Sequence, residues 1–129
     1  MIAWWHKDQF RPLRRSIGAE KLLSAAEDLV LYGFDATNYS GIPLAVVFPE
    51  SGEDVQETVR FAVKSGLHIT PRGAGTGLSG GSVPVNGGIV LSCERMKKII
   101  SLDPTARTAI VEPGVVTSIL QEMVAKVGL

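Results

Sequence analysis

A chain of 129 residues is long enough for one modest domain with a real core. With 45% hydrophobic and 20% charged residues it has the composition of a folded globular protein, which excludes intrinsic disorder. Lysine and arginine total 13, as do aspartate and glutamate, so no basic surplus argues for nucleic acid. No stretch approaches the roughly 18 to 20 apolar residues of a membrane helix. The single cysteine, Cys93, excludes an internal disulfide and a cysteine-built metal site, and is expected as a small buried side chain in a strand.

Met1 to Phe10 is too short, and too polar after Trp5, for a secretory signal, so a cytoplasmic setting is expected. Trp4 and Trp5 lie beside Lys7, Arg11, Arg14 and Arg15, which suits either an interfacial membrane contact or aromatics packed on the body. Packing is favoured, because no amphipathic period runs through Gln9-Phe10-Arg11-Pro12 and Pro12 would break one. Ser16 to Gly33 then reads as the first helix, with Leu22, Ala25, Ala26, Leu29 and Val30 on one apolar face and Gly33 at its end. Phe34 to Pro43 is a connector rich in turn formers. Leu44 to Phe48 is a short apolar run of the kind that forms a buried strand, ended by Pro49.

Ser51 to Gly66 reads as the second helix, capped by Ser51, with Asp54 at the capping-box offset and Gly66 closing it. Val55, Val59, Ala62 and Val63 form its expected apolar face, with Glu57, Arg60 and Lys64 opposite. His68 to Thr70 is the next strand, completing a βαβ unit. His68 is expected to be structural. Gly88 to Cys93 and Thr108 to Glu112 follow as strands, with Asp103-Pro104-Thr105 as the turn between them and Lys97 and Lys98 as solvated residues. Pro113-Gly114 leads into a last helix, capped by Thr117 or Ser118, with Leu120, Val124 and Val127 inward.

The informative stretch is Pro71 to Pro84, which places glycine at 73, 75, 77, 80 and 81. So dense a run is costly as a mere connector, and suits a loop whose amides turn inward around an anion. Thr76, Ser79 and Ser82 add hydroxyls and Arg72 a fixed positive charge, while no Asp or Glu lies between Arg72 and Cys93 to repel a phosphate. Gly75 to Gly80 matches G-x-G-x-x-G, and Glu94 falls near the ~20-residue offset of that motif's ribose-binding acid. A dinucleotide fingerprint must open a helix, however, and Pro84 and Gly87-Gly88 leave no room for one before the next strand. Gly-Lys-Ser/Thr is absent, which removes a Walker loop. The loop runs from strand to turn to strand.

Pro71-Arg72-Gly73-Ala74-Gly75-Thr76-Gly77-Leu78-Ser79-Gly80-Gly81 resembles the pyrophosphate loop of FAD-linked oxidases of the vanillyl-alcohol oxidase type. Within that family it is most similar to glycolate oxidase flavin subunits and D-lactate dehydrogenases. Further blocks agree in order over Tyr32 to Leu129: Asp35-Ala36-Thr37, Val46-Val47-Phe48-Pro49 before a helix, Gly87-Gly88-Ile89-Val90-Leu91-Ser92, Arg95-Met96, and Glu112-Pro113-Gly114-Val115. The resemblance implies an α+β, FAD-binding PCMH-type fold, with a small βαβ subdomain followed by the start of a second α+β subdomain. Residues 1–33 would be an N-terminal segment and helix, and 34–129 the N-terminal part of the FAD-binding domain.

The resemblance further implies FAD held at Pro71 to Gly81 and at Pro113 and Gly114, and a hydride taken from the α-carbon of a small 2-hydroxy acid of the glycolate or D-lactate type. A flavin-covering segment and a substrate domain with the catalytic base are expected beyond Leu129, so no catalytic or metal-binding residue is assigned within these residues. Self-association, or contact with that further portion, is expected where apolar surface is left exposed. The alternative is a non-catalytic nucleotide-binding or structural fragment.

Overall fold

The computed structural model describes residues 9–129, so Trp4, Trp5, His6 and Lys7 lie outside the described residues. Four strands make one sheet: β1 (Leu22–Leu23), β2 (Ala45–Val47), β3 (Ile69–Arg72) and β4 (Ile89–Ser92), in the order β1-β2-β4-β3. β4 lies parallel to both β2 and β3, while β1 pairs antiparallel with β2 through Leu22 to Val47 and Leu23 to Val46. The central strands β2 and β4 are buried throughout, as their continuous apolar sequences require. Their side chains alternate between two cores. Ala45, Val47, Ile89 and Leu91 face Phe10, Leu13, Ile17 and Ala62, whereas Val46, Phe48 and Val90 face Leu29 and Tyr32.

The first core is covered by α1 (Arg11–Ile17) and α3 (Gly52–Ser65). Pro12 does not break α1 but stands in its first turn, where the missing N–H has no helical partner to lose. The continuous helix expected over Ser16 to Gly33 is not formed. Gly18 leaves α1 at φ +103, and the chain then runs through a 3₁₀ turn, strand β1, the four-residue helix α2 (Ala26–Leu29) and a second 3₁₀ turn. Leu22 faces the sheet as a strand residue, Val30 is exposed, and Gly33 ends the turn with an ordinary helical φ of −89. Residues on both sides of position 33 share the same cores.

Helix α3 begins and ends as its sequence indicates. Ser51 accepts a hydrogen bond from the Asp54 N–H at 3.2 Å, and Gly66 takes the left-handed conformation at φ +65. Of the expected apolar face, Ala62 is buried and Val55 packs half-buried against the core, but Val59 and Val63 are exposed, and Asp54 and Thr58 are buried in their place. Two polar residues can face the core because each is satisfied. The Thr58 hydroxyl donates to the Asp54 carbonyl at 2.7 Å, and the Asp54 carboxylate accepts from the Glu50 N–H and from Lys21 Nζ, each at 2.9 Å.

Thr108 to Val111 (β6) does follow the Asp103 turn, but its partner is Ile99–Asp103 (β5), a strand not expected from sequence, instead of the strand before Cys93. Asp103 Oδ1 accepts from the Thr105 and Ala106 N–H groups at 2.9 Å and fixes that turn. Cys93 is half-buried in a 3₁₀ turn after β4, not inside the strand, and burial pushes its thiol pKa up. Helix α4 (Thr117–Ala125) is led by Val116 with no side-chain cap. Leu120 and Val124 are half-buried, but Val127 is exposed with Ile119 and Met123. Among the described residues no helix is long and apolar enough to cross a membrane.

Candidate functional site: a glycine loop at the carboxyl end of the sheet

The glycine loop leaves the carboxyl end of β3, where parallel sheets place ligands. β3 is an edge strand, which is why it accommodates Pro71. No helix intervenes between the loop and β4, so the strand-turn-strand reading holds. Residues 71–82, apart from Arg72 and Gly80, line a cavity of about 360 Å³. A second cavity of about 650 Å³ has Gly73, Ala74 and Thr76 on one wall and Glu94, Lys97 and residues 113–118 on the other. The fold thus brings Pro113 and Gly114 across from the loop. Arg72 and Gly80 are turned to its back. Arg72 donates to the Phe34 carbonyl at 2.7 Å and lies over the Tyr32 ring, and Gly80 packs on Tyr39.

The loop's backbone donors are unspent. Among the described residues, no acceptor takes a hydrogen bond from the backbone N–H of any residue from Gly73 to Ser82. A backbone N–H without a protein partner is offered to water or to a ligand. Here successive donors line concave surface, the arrangement that binds anions.

The glycines divide into two kinds. Gly75 and Gly80 have φ of +70 and +75, and a β-carbon on them would meet the Arg72 guanidinium at 2.1 Å and the Tyr39 ring at 2.9 Å. The fold itself demands glycine there. Gly73 and Gly81 have neither constraint, since a β-carbon on either meets nothing within 4 Å. At Gly73, which lines both cavities, an added methyl has room in the protein itself. A Gly75→Val variant would therefore confound loop geometry with binding. Gly114 is similarly spoken for: its N–H donates to the Met96 carbonyl at 2.8 Å, and a β-carbon would strike the Cys93 carbonyl at 2.0 Å.

One expectation about charge is corrected. Asp35, remote in sequence, stands behind the loop, its Oδ2 accepting from the Ser82 hydroxyl at 3.4 Å. The Thr37 hydroxyl and then the Thr37 N–H hold the Asp35 carboxyl below its usual pKa, with Arg72 adding to the effect. Glu94 and Lys97 were also not assigned to this site. Glu94 lines the larger cavity and accepts from buried Ser92 at 3.1 Å; Lys97, exposed as expected, lines it too. Neither belongs to a motif, and only the packing of the 93–96 turn brings them to the loop. Among the described residues no group of three or more His, Cys, Asp or Glu could hold a metal ion.

Residues 43–129 match the FAD binding domain family. The chain is 39% identical over 118 residues to D-2-hydroxyglutarate dehydrogenase of Stutzerimonas stutzeri, covering 91% of this chain and 25% of that protein. It is 33% identical over 124 residues to glycolate oxidase subunit GlcD of Bacillus subtilis, covering 95% and 26%. The chain therefore spans about a quarter of the length of the curated relatives it matches. A crystal structure of p-cresol methylhydroxylase with substrate bound superposes with a TM-score of 0.80 at 26% identity, over 95% of this chain and 25% of that one. With a mixed sheet of matching fold and a family match over residues 43–129, the chain belongs to the FAD-binding domain family, with the PCMH-type fold.

Proposed function

We propose that this chain supplies the pyrophosphate-binding part of an FAD-dependent oxidoreductase acting on a small 2-hydroxy acid. The observation that carries the reading is the run of backbone amides from Gly73 to Ser82 that donate to no acceptor among the described residues, on a loop of which all these residues but Gly80 line a cavity. A pyrophosphate is the FAD group that such donors suit, and each charge-assisted bond contributes roughly 1.5 to 3 kcal/mol, so three or four anchor a cofactor. Gly73 to Gly77 and Ser79 to Gly81 would hold the phosphates. Thr76 and Ser79 stand on the same lining, while Arg72 shapes the loop from behind. Pro113 and Gly114 would face the cofactor across the larger cavity, where Gly114 keeps its turn tight against Cys93 and Met96. When bound, FAD supplies the electron-accepting ring for oxidation at the α-carbon of the acid.

The substrate class rests on relatives whose names specify D-2-hydroxyglutarate and glycolate. The same proposal takes residues 34–129 as the N-terminal part of the FAD-binding domain. It has exposed Ile119 and Met123 meeting a further portion of the protein or a second copy. A cytoplasmic setting fits a chain with one unpaired thiol.

Titration of the chain with FAD, followed by quenching of flavin fluorescence, tests the reading. Saturable binding at micromolar FAD, with ADP weaker, is expected. Equal affinity for ADP and FAD would favour a nucleotide-binding module without catalysis, and a folded chain that binds neither would contradict the cradle.

A further inference from the structure

The loop is fastened at both ends to one short stretch of chain. At its start, Arg72 donates Nη1 to the Phe34 carbonyl at 2.7 Å and lies 5.7 Å from the Tyr32 ring centre. At its end, the Ser82 hydroxyl donates to Asp35 Oδ2 at 3.4 Å. Between these points the open side of Gly77 faces the same carboxylate oxygen, 3.8 Å from where a β-carbon would stand. Asp35 is 8% exposed, and its orientation is fixed on the other side. Oδ1 accepts from the Thr37 N–H at 2.8 Å and from the Thr37 hydroxyl, whose oxygen in turn accepts from the Tyr39 N–H at 3.2 Å.

A carboxylate beside a site for anions works against binding unless it does something else. Here it has a mechanical use. Serine and threonine hydroxyls in a glycine-rich loop compete for nearby backbone groups. Engaging Ser82 from behind removes one such competitor and fixes the far end of a run whose glycines leave it prone to disorder. Arg72, held at the near end, offsets the charge.

We propose that Asp35 is a positioning residue that preorganises the glycine loop, acting as one arm of a two-point brace whose other arm is Arg72 on the Phe34 carbonyl. This rests on the reading of the loop as a pyrophosphate cradle. If the loop is binding-competent only a tenth of the time without the brace, apparent affinity falls about tenfold.

The test compares wild type, Asp35→Ala and Asp35→Asn by backbone ¹⁵N relaxation without ligand and by FAD titration, with thermal unfolding as the control for folding. Asparagine keeps an acceptor for Thr37 and a polar partner for Ser82 while losing the charge. Wild type and Asp35→Asn are expected to show loop order parameters near about 0.85, and Asp35→Ala values below about 0.6 across residues 77–82, with FAD affinity roughly tenfold weaker. If Asp35→Ala fails to fold, Ser82→Ala removes the same loop contact and must loosen the same residues. Unchanged loop order in the alanine variant overturns the brace, as does loosening without loss of affinity. An asparagine variant as poor as alanine would overturn the brace as well, assigning the effect to charge. Failure of the wild type to bind FAD would sink the cofactor reading, while loop order in the variants would still decide the brace.

Discussion

Gly73 and Gly75 lie two residues apart in one loop, yet alanine at each has opposite consequences. At Gly73 the backbone is outside the left-handed region and a β-carbon touches nothing within 4 Å. Alanine there restricts the unfolded chain at no cost to the folded one, and should stabilise by about 0.4 to 1 kcal/mol. On the proposed placement of the pyrophosphate, the same methyl on this residue of both cavity linings competes with the ligand for those amides. Loss of a single charge-assisted bond, about 1.5 to 3 kcal/mol, lowers FAD affinity by roughly 10- to 150-fold. At Gly75, with φ +70, alanine costs about 1 to 2 kcal/mol of stability and weakens binding only through the loop's shape. Thermal unfolding and FAD titration of the two variants separate these effects. A Gly73→Ala chain that binds FAD like wild type refutes the placement of the ligand, and one that unfolds more easily refutes the claim that its backbone is free.

The Lys21–Asp54 ion pair, 2.9 Å apart with both side chains largely buried, ties the segment before β1 to the first turn of α3. Lys21→Met should destabilise by about 1 to 2 kcal/mol near neutral pH in chemical denaturation, less than a fully buried pair because the lysine stays near the surface. Burial pushes the Asp54 carboxyl up, but the Glu50 N–H and Lys21 outweigh it and its pKa is lowered, while the hydrogen bond to Asp54 raises that of Lys21. The pair's contribution is therefore present between the ordinary carboxylate and lysine values. It fades as pH falls through the lowered Asp54 pKa or rises through the raised Lys21 pKa, and the variant should match wild type at those extremes. Exposed Ile119, Met123 and Val127 predict that the isolated chain self-associates; a monodisperse monomer in light scattering would contradict this.

What the sequence made legible was local. The apolar run at 44–48, the Ser51 cap with Gly66 at the other end of α3, the Asp103 turn and the glycine loop each carry their signal within a few residues. What it hid depends on distant partners. Leu22, Ala25, Ala26, Leu29 and Val30 have helical spacing, but Leu22 and Leu23 gain more by pairing with β2, and Gly18 lets the chain turn into that strand. Strand β5 was obscured because its register against β6 shifts between Ile99 and Ser101, which disrupts a clean alternation. The inward face of α3 carries Asp54 and Thr58, whose polarity hides their burial until Lys21 and the helix carbonyl are seen to satisfy them. Asp35 escaped for the same reason, since its loop partner lies 47 residues away.

The central claim is that the amides from Gly73 to Ser82 are the anion donors. Amide-resolved NMR during titration of the ¹⁵N-labelled chain with FAD, and separately with inorganic pyrophosphate, tests it most directly. The account predicts saturable shifts concentrated at residues 73–82 with both ligands, and further shifts at residues 113–118 with FAD. Binding of FAD that leaves residues 73–82 unmoved while shifting another surface would contradict it.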